Sequence, residues 1–507
     1  MTGLIKAIQF ITILSTLFLT VSNAKKPNFI IFLADDMGYG DISSHGHPSQ
    51  EYGAIDKLAA EGMRFTHWYS ADVVCTPSRA ALLTGRYPLR YGLSGGVRVL
   101  LPHHFSGLPK SEITIAEALK DVGYNTGIVG KWHLGINEAT RTDGGHLPHN
   151  HGFNYVGSIL PFTLVWDCDT SKVHMEEANR HRCFLYQNTT IIQQPIDLHN
   201  LSSRFLHDAK AFLHDNADHP FFLYYPLPQT HTPMFNMPQF ANKSRRGRYG
   251  DQINEMAWTI SEIMDTLKTL RLDEDTLVLF LSDHGPHSEV CSEGGDAGML
   301  RGGKLSFFEG GIRVPAIAHW PGKIKPASVS HDVISTMDIF PTILELAGAK
   351  EQDQLLDGQS ITDILFEKGH KSHEILFYHL ERDVLAVRYN NFKIHFKAAG
   401  LPTEKFIKHF CPGGFPTKSV MLGENHIVAL PFDSPLVYDV ERDPGERYPL
   451  NPRDYDNVIR EVREEIAKHF ATVTPTKCLL YGNHANRKVI PCCNPPYCFC
   501  NFPGTQQ

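Results

Sequence analysis

The chain is short of the features that mark whole classes of protein. Past Val21 no apolar run is long enough to cross a bilayer, which argues against a membrane-spanning protein. Basic charge is not in excess: 48 Lys and Arg stand against 55 Asp and Glu, a net charge of -7 with 28 histidines neutral, so no general basic field exists to hold a nucleic acid. Protonation of histidines in an acidic compartment would reduce that negative balance. Internal repeats and low-complexity linkers are missing too, which argues against a solenoid or a string of tethered modules. What remains is ordinary globular composition. With 507 residues, 42% hydrophobic and 20% charged, the chain can bury one large core and a smaller second one without metal staples.

The N-terminus points to a route through the cell. An apolar run from Ala7 to Val21 follows Lys6 and ends at the small residues Ser22-Asn23-Ala24, so residues 1–24 read as a cleaved signal peptide. An uncleaved anchor is the rival, disfavoured because the run is short and interrupted by Gln9. Asn188, Asn200 and Asn242 each open an N-glycosylation triplet, in agreement with a glycoprotein of the secretory pathway, lysosomal or extracellular. Ten cysteines are present. In an oxidising route most should pair: Cys168 and Cys183 could close a local loop, and Cys478, Cys492, Cys493, Cys498 and Cys500 crowd the tail. A zinc site in that tail lacks two clean Cys-x-x-Cys pairs.

The apolar runs predict an α/β fold. Asn28 to Ala34 reads as a buried parallel strand that ends in Asp35-Asp36, and Met37 to Asp41 turn the chain away. Two adjacent carboxylates repel without a cation, although a helix cap is the competing explanation. Thr126 to Val129 delivers Lys131 and His133, which an extended segment would place on one side. Phe221 to Tyr225 leads to His231, and Leu277 to Ser282 ends in Asp283-His284. Charged and imidazole side chains therefore recur where strands end, the usual place for a site in such sheets. Asp35, Asp36 and Asp283 together would suit a hard cation. Helices are predicted over 54–61, after the Thr114–Glu117 capping box, and over 205–214, 252–270 and 334–346. From about residue 370 short strands follow, with Asn390-Asn391 as a hairpin turn and a last helix over 457–470. The expected division is a catalytic domain over 25–369 and an α+β domain with a Cys-rich tail over 370–507.

One stretch resists explanation by packing. In Val73-Val74-Cys75-Thr76-Pro77-Ser78-Arg79 through Gly85-Arg86, Pro77 suits a first helical turn and Gly85 a helix end. Cys75 then sits just before the helix, where free N–H groups and the helix dipole favour an anion and a reactive side chain. Half of a disulfide, or an apolar filler, is the plainer reading.

Cys75-Thr76-Pro77-Ser78-Arg79, with the trailing Leu83-Thr84-Gly85-Arg86, resembles the signature of the type I sulfatases, and the Gly130-Lys131-Trp132-His133-Leu134-Gly135 segment is similar as well. The arylsulfatase A and N-acetylgalactosamine-6-sulfatase branches stand nearest. The resemblance implies an alkaline-phosphatase-like, mostly parallel central sheet flanked by helices, with a smaller C-terminal antiparallel sheet. It implies a sulfuric ester hydrolase in which a formylglycine-generating enzyme oxidises Cys75 to formylglycine, whose hydrate is the nucleophile. Asp35, Asp36, Cys75, Asp283 and His284 would hold one divalent metal, Ca2+ ahead of Mg2+. Arg79, Lys131, His133, His231 and Lys304 would surround the sulfate of an aryl, glycolipid or glycosaminoglycan-type ester. His284 departs from the Asn of arylsulfatase A, which makes the metal less certain because calcium prefers oxygen. Gly302 replaces a cysteine of both relatives, so Cys411 would need another partner, such as Cys291. Whether Thr163 takes the part of an arylsulfatase A serine stays open. A phosphoesterase on the same fold and an inactive glycan-binding homologue are the competing readings, and a homodimer is compatible with the sequence.

Overall fold

The computed structural model describes residues 25–95, 98–164, 183–194, 196–350, 353–369, 372–399, 429–481 and 489–491. The expected signal peptide, Cys168, Cys411 and the cysteines from Cys492 onward lie outside the described residues. Eleven strands come first: β1 Asn28–Ala34, β2 Met63–Phe65, β3 Trp68–Tyr69, β4 Asn125–Lys131, β5 Tyr155–Leu160, β6 Leu185–Gln187, β7 Thr190–Gln193, β8 Phe221–Pro226, β9 Thr276–Ser282, β10 Ala316–His319 and β11 Ser328–Ser330. All but β3 join one 10-stranded sheet in the order β11-β2-β10-β9-β1-β8-β4-β5-β6-β7. Its centre is parallel: β1 pairs with β8 and β9, and β4 with β8 and β5. Antiparallel pairs lie outside that centre, β10 on β9 and on β2, β6 on β5 and on β7. The expected α/β class and mostly parallel sheet are what the chain forms.

The helices are α1 Ala54–Glu61, α2 Cys75–Thr84, α3 Ile115–Asp121, α4 Leu201–Asp215, α5 Arg248–Thr269, α6 Glu309–Ile312, α7 Ile339–Ala347, α8 Thr362–Leu365 and α9 Asp456–Ala471. They cover both faces of the sheet because β1 is apolar at every position after Asn28. Phe29, Ile31 and Leu33 cluster with Leu82 and Leu83 of α2, Leu119 of α3 and Ile343 of α7. Ile30, Phe32 and Ala34 cluster with Leu58 of α1, Phe205 of α4 and Ile260 of α5. Alternate side chains thus anchor opposite layers, each large one contributing roughly 1.5–3 kcal/mol of burial. With both layers in place the parallel strands can end at a common edge, where polar side chains converge.

Two boundaries differ from expectation. Ile334–Ser335 is a short strand, β12, paired with Trp68–Tyr69, and Ser335 accepts from the N–H of Met337, so the helix proper begins at Ile339. The helix expected from 252 begins at Arg248, a turn that Gly250 and the preceding cap residue Gly247 hide from propensity.

The C-terminal strands β13 Ile375–Leu380, β14 Asp383–Tyr389, β15 Phe392–Ala399 and β16 Ala429–Asp439 form the expected antiparallel sheet in chain order. Val387, Ile394 and Val437 pack on Ile459 and Val462 of α9. Leu376, Tyr378 and Leu385 pack on Tyr69, Val73 and Val74, the residues that lead into Cys75. A buried ionic seam joins β3 and α6 to the C-terminal sheet: Glu309 accepts from Tyr69 Oη at 2.7 Å and Lys393 Nζ at 3.2 Å, and its N–H donates to Glu446. Burial alone would raise the Glu309 carboxyl, but Lys393, Arg388 and Arg313 hold it near 2, below the usual 4.5. A depressed carboxylate stabilises fully above the unfolded value and loses that contribution as pH falls from about 4.5 towards 2. In denaturant titrations the deficit of Glu309→Gln relative to the native chain should therefore shrink across that window. A deficit independent of pH would contradict an ionised seam.

Candidate active site

The edge where β1, β4, β8 and β9 end brings together residues that are far apart in sequence. Asp35 and Asp36 leave β1, Lys131 closes β4, and Asp283 and His284 leave β9. The α2 helix faces that edge with its N-terminus. Val74 is its extended cap residue, Cys75 is its first residue rather than the one before it, and Gly85 ends it at φ 68 with its N–H on Ala81 O. Cys75 Sγ lies 3.6 Å from Asp35 Oδ1, 4.0 Å from Asp36 Oδ1, 3.4 Å from His284 Nε2 and 3.9 Å from Lys304 Nζ. No other cysteine stands in that group among the described residues, and Cys75 is unbridged, so the disulfide reading falls.

Charge balances within the cluster pair by pair. Lys131 Nζ donates to both oxygens of Asp35 at 2.8 and 2.6 Å, and Lys304 Nζ to both oxygens of Asp36 at 2.8 and 2.7 Å. Arg79, fully buried one turn along α2, donates to Asp283 Oδ2 from Nε at 3.1 Å and Nη2 at 2.9 Å, to Asp35 Oδ1 at 3.1 Å and to Lys131 O at 3.0 Å. Burial would raise both aspartates, yet Lys131 holds Asp35, and Lys304 holds Asp36, below the usual carboxylate range. Burial would likewise discharge His284, but Asp283 and the Cys75 sulfur outweigh it and lift the imidazole to about 9.

Asp35, Asp36, Cys75 and His284 each offer a ligand atom, and these atoms lie within 4.8 Å of one another. Two carboxylates, an imidazole nitrogen and the side chain of residue 75 form a donor set that a divalent cation fits. The raised His284 says the same: in a site built for positive charge, a proton takes the place a cation would hold. Asp283 stands beside this group. Its Oδ2 is taken by Arg79, and its Oδ1 accepts the N–H of Asp36 and lies 3.6 Å from His284 Nε2.

The remaining residues line the approach. His231 Nε2 lies 3.8 Å from Asp36 Oδ2 and 3.3 Å from Thr163 Oγ1, which puts Thr163 at the site. Burial pushes His231 down to about 4 against the pull of Asp36. His133 does not extend alongside Lys131 as expected: its φ is 58 and its Nε2 bonds Leu100 O at 3.0 Å. Its Nε2 carries the proton, so its buried Nδ1, which has no hydrogen-bond partner, is left as an acceptor. His287 was missed by the sequence reading. Its Nδ1 is 4.0 Å from Asp36 Oδ2 with the side chain 19% exposed, and the one signal for it is its place directly after the Asp283-to-Pro286 turn. Also missed was the polar face of α5, where Gln252 donates to Phe235 O and Glu255 accepts from Met237 N–H, holding the segment after His231.

Asn188, Asn200 and Asn242 are all exposed, Asn188 in the turn between β6 and β7 and Asn200 just before α4. Cys183 and Cys291 are disulfide-bonded, while Cys478 is free. No helix among the described residues is long and apolar enough to cross a membrane.

The sulfatase family model matches residues 27–349, and that of the C-terminal region of aryl-sulfatase matches residues 371–501. An arylsulfatase of Hemicentrotus pulcherrimus is 45% identical over 94% of this chain and 87% of its own length. Arylsulfatase A of Homo sapiens is 38% identical over 84% of each. Among solved structures, the PsFucS1 sulfatase of Pseudoalteromonas sp. superposes with a TM-score of 0.77 at 26% identity, over 90% of this chain and 93% of that one. With its strand-end charges gathered on Cys75 and its likeness running nearly end to end, the chain belongs to the sulfatase family and is a hydrolase of sulfate esters.

Proposed function

We propose that the chain removes sulfate from a sulfated small molecule, glycolipid or glycan, using formylglycine made from Cys75 as the nucleophile and one divalent cation, Ca2+ ahead of Mg2+. The observation that carries this reading is the place of Cys75, first in α2 and within 4.0 Å of Asp35, Asp36, His284 and Lys304. Its sulfur marks where the oxygens of an aldehyde hydrate would stand. An oxidase of the secretory pathway would convert the thiol to the aldehyde and release its sulfur as hydrogen sulfide, dioxygen being reduced to water by two electrons from the cysteine and two from an external thiol; the aldehyde's hydrate supplies one hydroxyl for attack on sulfur and a second whose collapse frees the sulfate. A cation held by Asp35, Asp36, residue 75 and His284, with Asp283 beside them, would polarise a sulfate oxygen.

The chain's own groups do the rest. Lys131, Lys304 and Arg79 fix positive charge in a dry cleft, where it stabilises an anionic transition state more than in water. Burial keeps His133 neutral and its Nε2–H is spent on Leu100 O, so its unpartnered Nδ1 can accept a hydrogen bond from a hydroxyl of the hydrate. His231, beside Thr163 at the open side, is neutral without substrate; it would take up a proton as the sulfate anion binds and hand it to the departing alcohol oxygen. The exposed Asn188, Asn200 and Asn242 support a glycosylated chain of the lysosome or the extracellular space.

Peptide mass spectrometry of protein secreted from animal cells tests this reading. An aldehyde at position 75 is expected, with glycan mass at the three asparagines. Aryl sulfate turnover should exceed aryl phosphate turnover by at least about a hundredfold, fall at least about tenfold after chelation and return with Ca2+. An intact thiol in protein that hydrolyses sulfate esters would refute the nucleophile, and a preference for phosphate would refute the substrate class.

A further inference from the structure

The segment Met37-Gly38-Tyr39-Gly40-Asp41 reads in sequence only as a turn, yet its last residue is a hub. Asp41 is fully buried. Its Oδ2 accepts the N–H of Gly38 at 2.5 Å and the hydroxyl of Tyr249 at 2.6 Å. Its Oδ1 accepts the N–H of Asp296 at 2.7 Å and Nη2 of Arg246 at 2.5 Å. These four donors come from three different segments. Gly38 follows the Asp35-Asp36 pair, and Asp296 lies in the loop that runs on to Lys304. Arg246 and Tyr249 stand at the start of α5.

The connections continue to the reacting groups. Tyr249 Oη is 2.8 Å from Thr230 Oγ1, next to His231, and the Thr230 N–H donates to Asp35 O at 2.7 Å. Gly40 N–H donates to Asp296 O at 2.9 Å. A side chain on Gly38 would collide with the Asp296 carbonyl, and one on Gly295 with the Asp41 carboxylate itself. The backbones therefore approach as closely as glycine allows, around one carboxylate.

We propose that Asp41 is a positioning residue for the reaction: it sets the distance between the Asp35-Asp36 pair, the Lys304 loop and the His231 loop without touching substrate. A rigid pair of carboxylates binds a cation at less cost than a mobile pair, and outer partners of metal ligands commonly matter about ten- to a hundredfold. Tyr249 carries the same constraint to the acid side of the site. The inference rests on the sulfatase reading for its chemistry, but the cation measurement does not depend on turnover.

The test uses the full secreted chain with the state of residue 75 checked. Asp41→Asn keeps the side-chain shape and loses the charge that Arg246 and three other donors share. Its Ca2+ dissociation constant, read by isothermal titration, should rise at least about tenfold, and kcat for an aryl sulfate should fall by a similar factor. Tyr249→Phe should keep Ca2+ affinity within about twofold and lose more kcat on an alkyl sulfate than on a nitrophenyl sulfate, because only the poor leaving group needs the proton. A merely structural role would lower the melting temperature and move neither ratio. If Asp41→Asn does not fold, Arg246→Met and Tyr249→Phe decide: native Ca2+ affinity in the first together with a native leaving-group ratio in the second overturns the proposal. Wild-type protein that binds Ca2+ yet turns over no sulfate ester would defeat the function reading and leave the titration of Asp41→Asn to stand alone.

Discussion

Cys75→Ser should stop turnover, by at least about a thousandfold, and leave one sulfo group on the protein. A serine at this position has one hydroxyl where an aldehyde hydrate has two. Lys304, His284 and the two aspartates would still surround it, so the first displacement can run once. The product is then an ordinary alkyl sulfate with no neighbouring hydroxyl to expel it. A burst of one equivalent of phenol from an aryl sulfate, followed by silence, is the expected trace, and intact mass should show a stoichiometric adduct. Steady turnover at the native rate would mean that the nucleophile lies elsewhere.

Arg79→Met is expected to damage both stability and rate. The guanidinium is fully buried and makes four hydrogen bonds, to Asp283, Asp35 and the carbonyl of Lys131. Lys131 remains to balance Asp35, so Asp283 loses its direct partner and keeps only the His284 imidazole at 3.6 Å. Breaking a buried pair in this way costs about 3–5 kcal/mol. The rate should fall at least about a hundredfold as well, because Asp283 also receives the Asp36 N–H and fixes that carboxylate. Arg79→Lys should rescue little, since one ammonium cannot span the directions that the fork reaches. Denaturant midpoints and kcat/KM decide this, and a methionine variant with native values for both would refute the account.

How much of this was legible depends on whether a feature is local. The strands carrying Asp35, Lys131, His231 and Asp283 announce themselves as apolar runs, and their boundaries shift by only a few residues, Thr126 to Val129 becoming Asn125–Lys131. Cys75 and its helix were plain from Pro77 and Gly85. The antiparallel C-terminal sheet and its Asn390-Asn391 turn were legible too, because alternation and a two-residue turn are short-range signals. The orientation of His133 was not, since its positive φ belongs to a bend that alternation does not foresee. His287 and Asp41 also escaped, and Thr163 could only be left open. Their meaning lies in partners as distant as Asp36, His231 and Asp296, and a pattern of neighbours holds no record of such pairings.

The closed geometry around Cys75 has a consequence for synthesis. The residue is 2% exposed once the sheet is complete, and its walls include groups that follow β9. Those walls are made about two hundred residues after the cysteine leaves the ribosome. At ordinary elongation rates that leaves roughly 10–40 s before the thiol is enclosed. If Cys75 is converted as proposed, an oxidase must act within that interval, and a nascent chain that outran it would fold with the sulfur sealed in place.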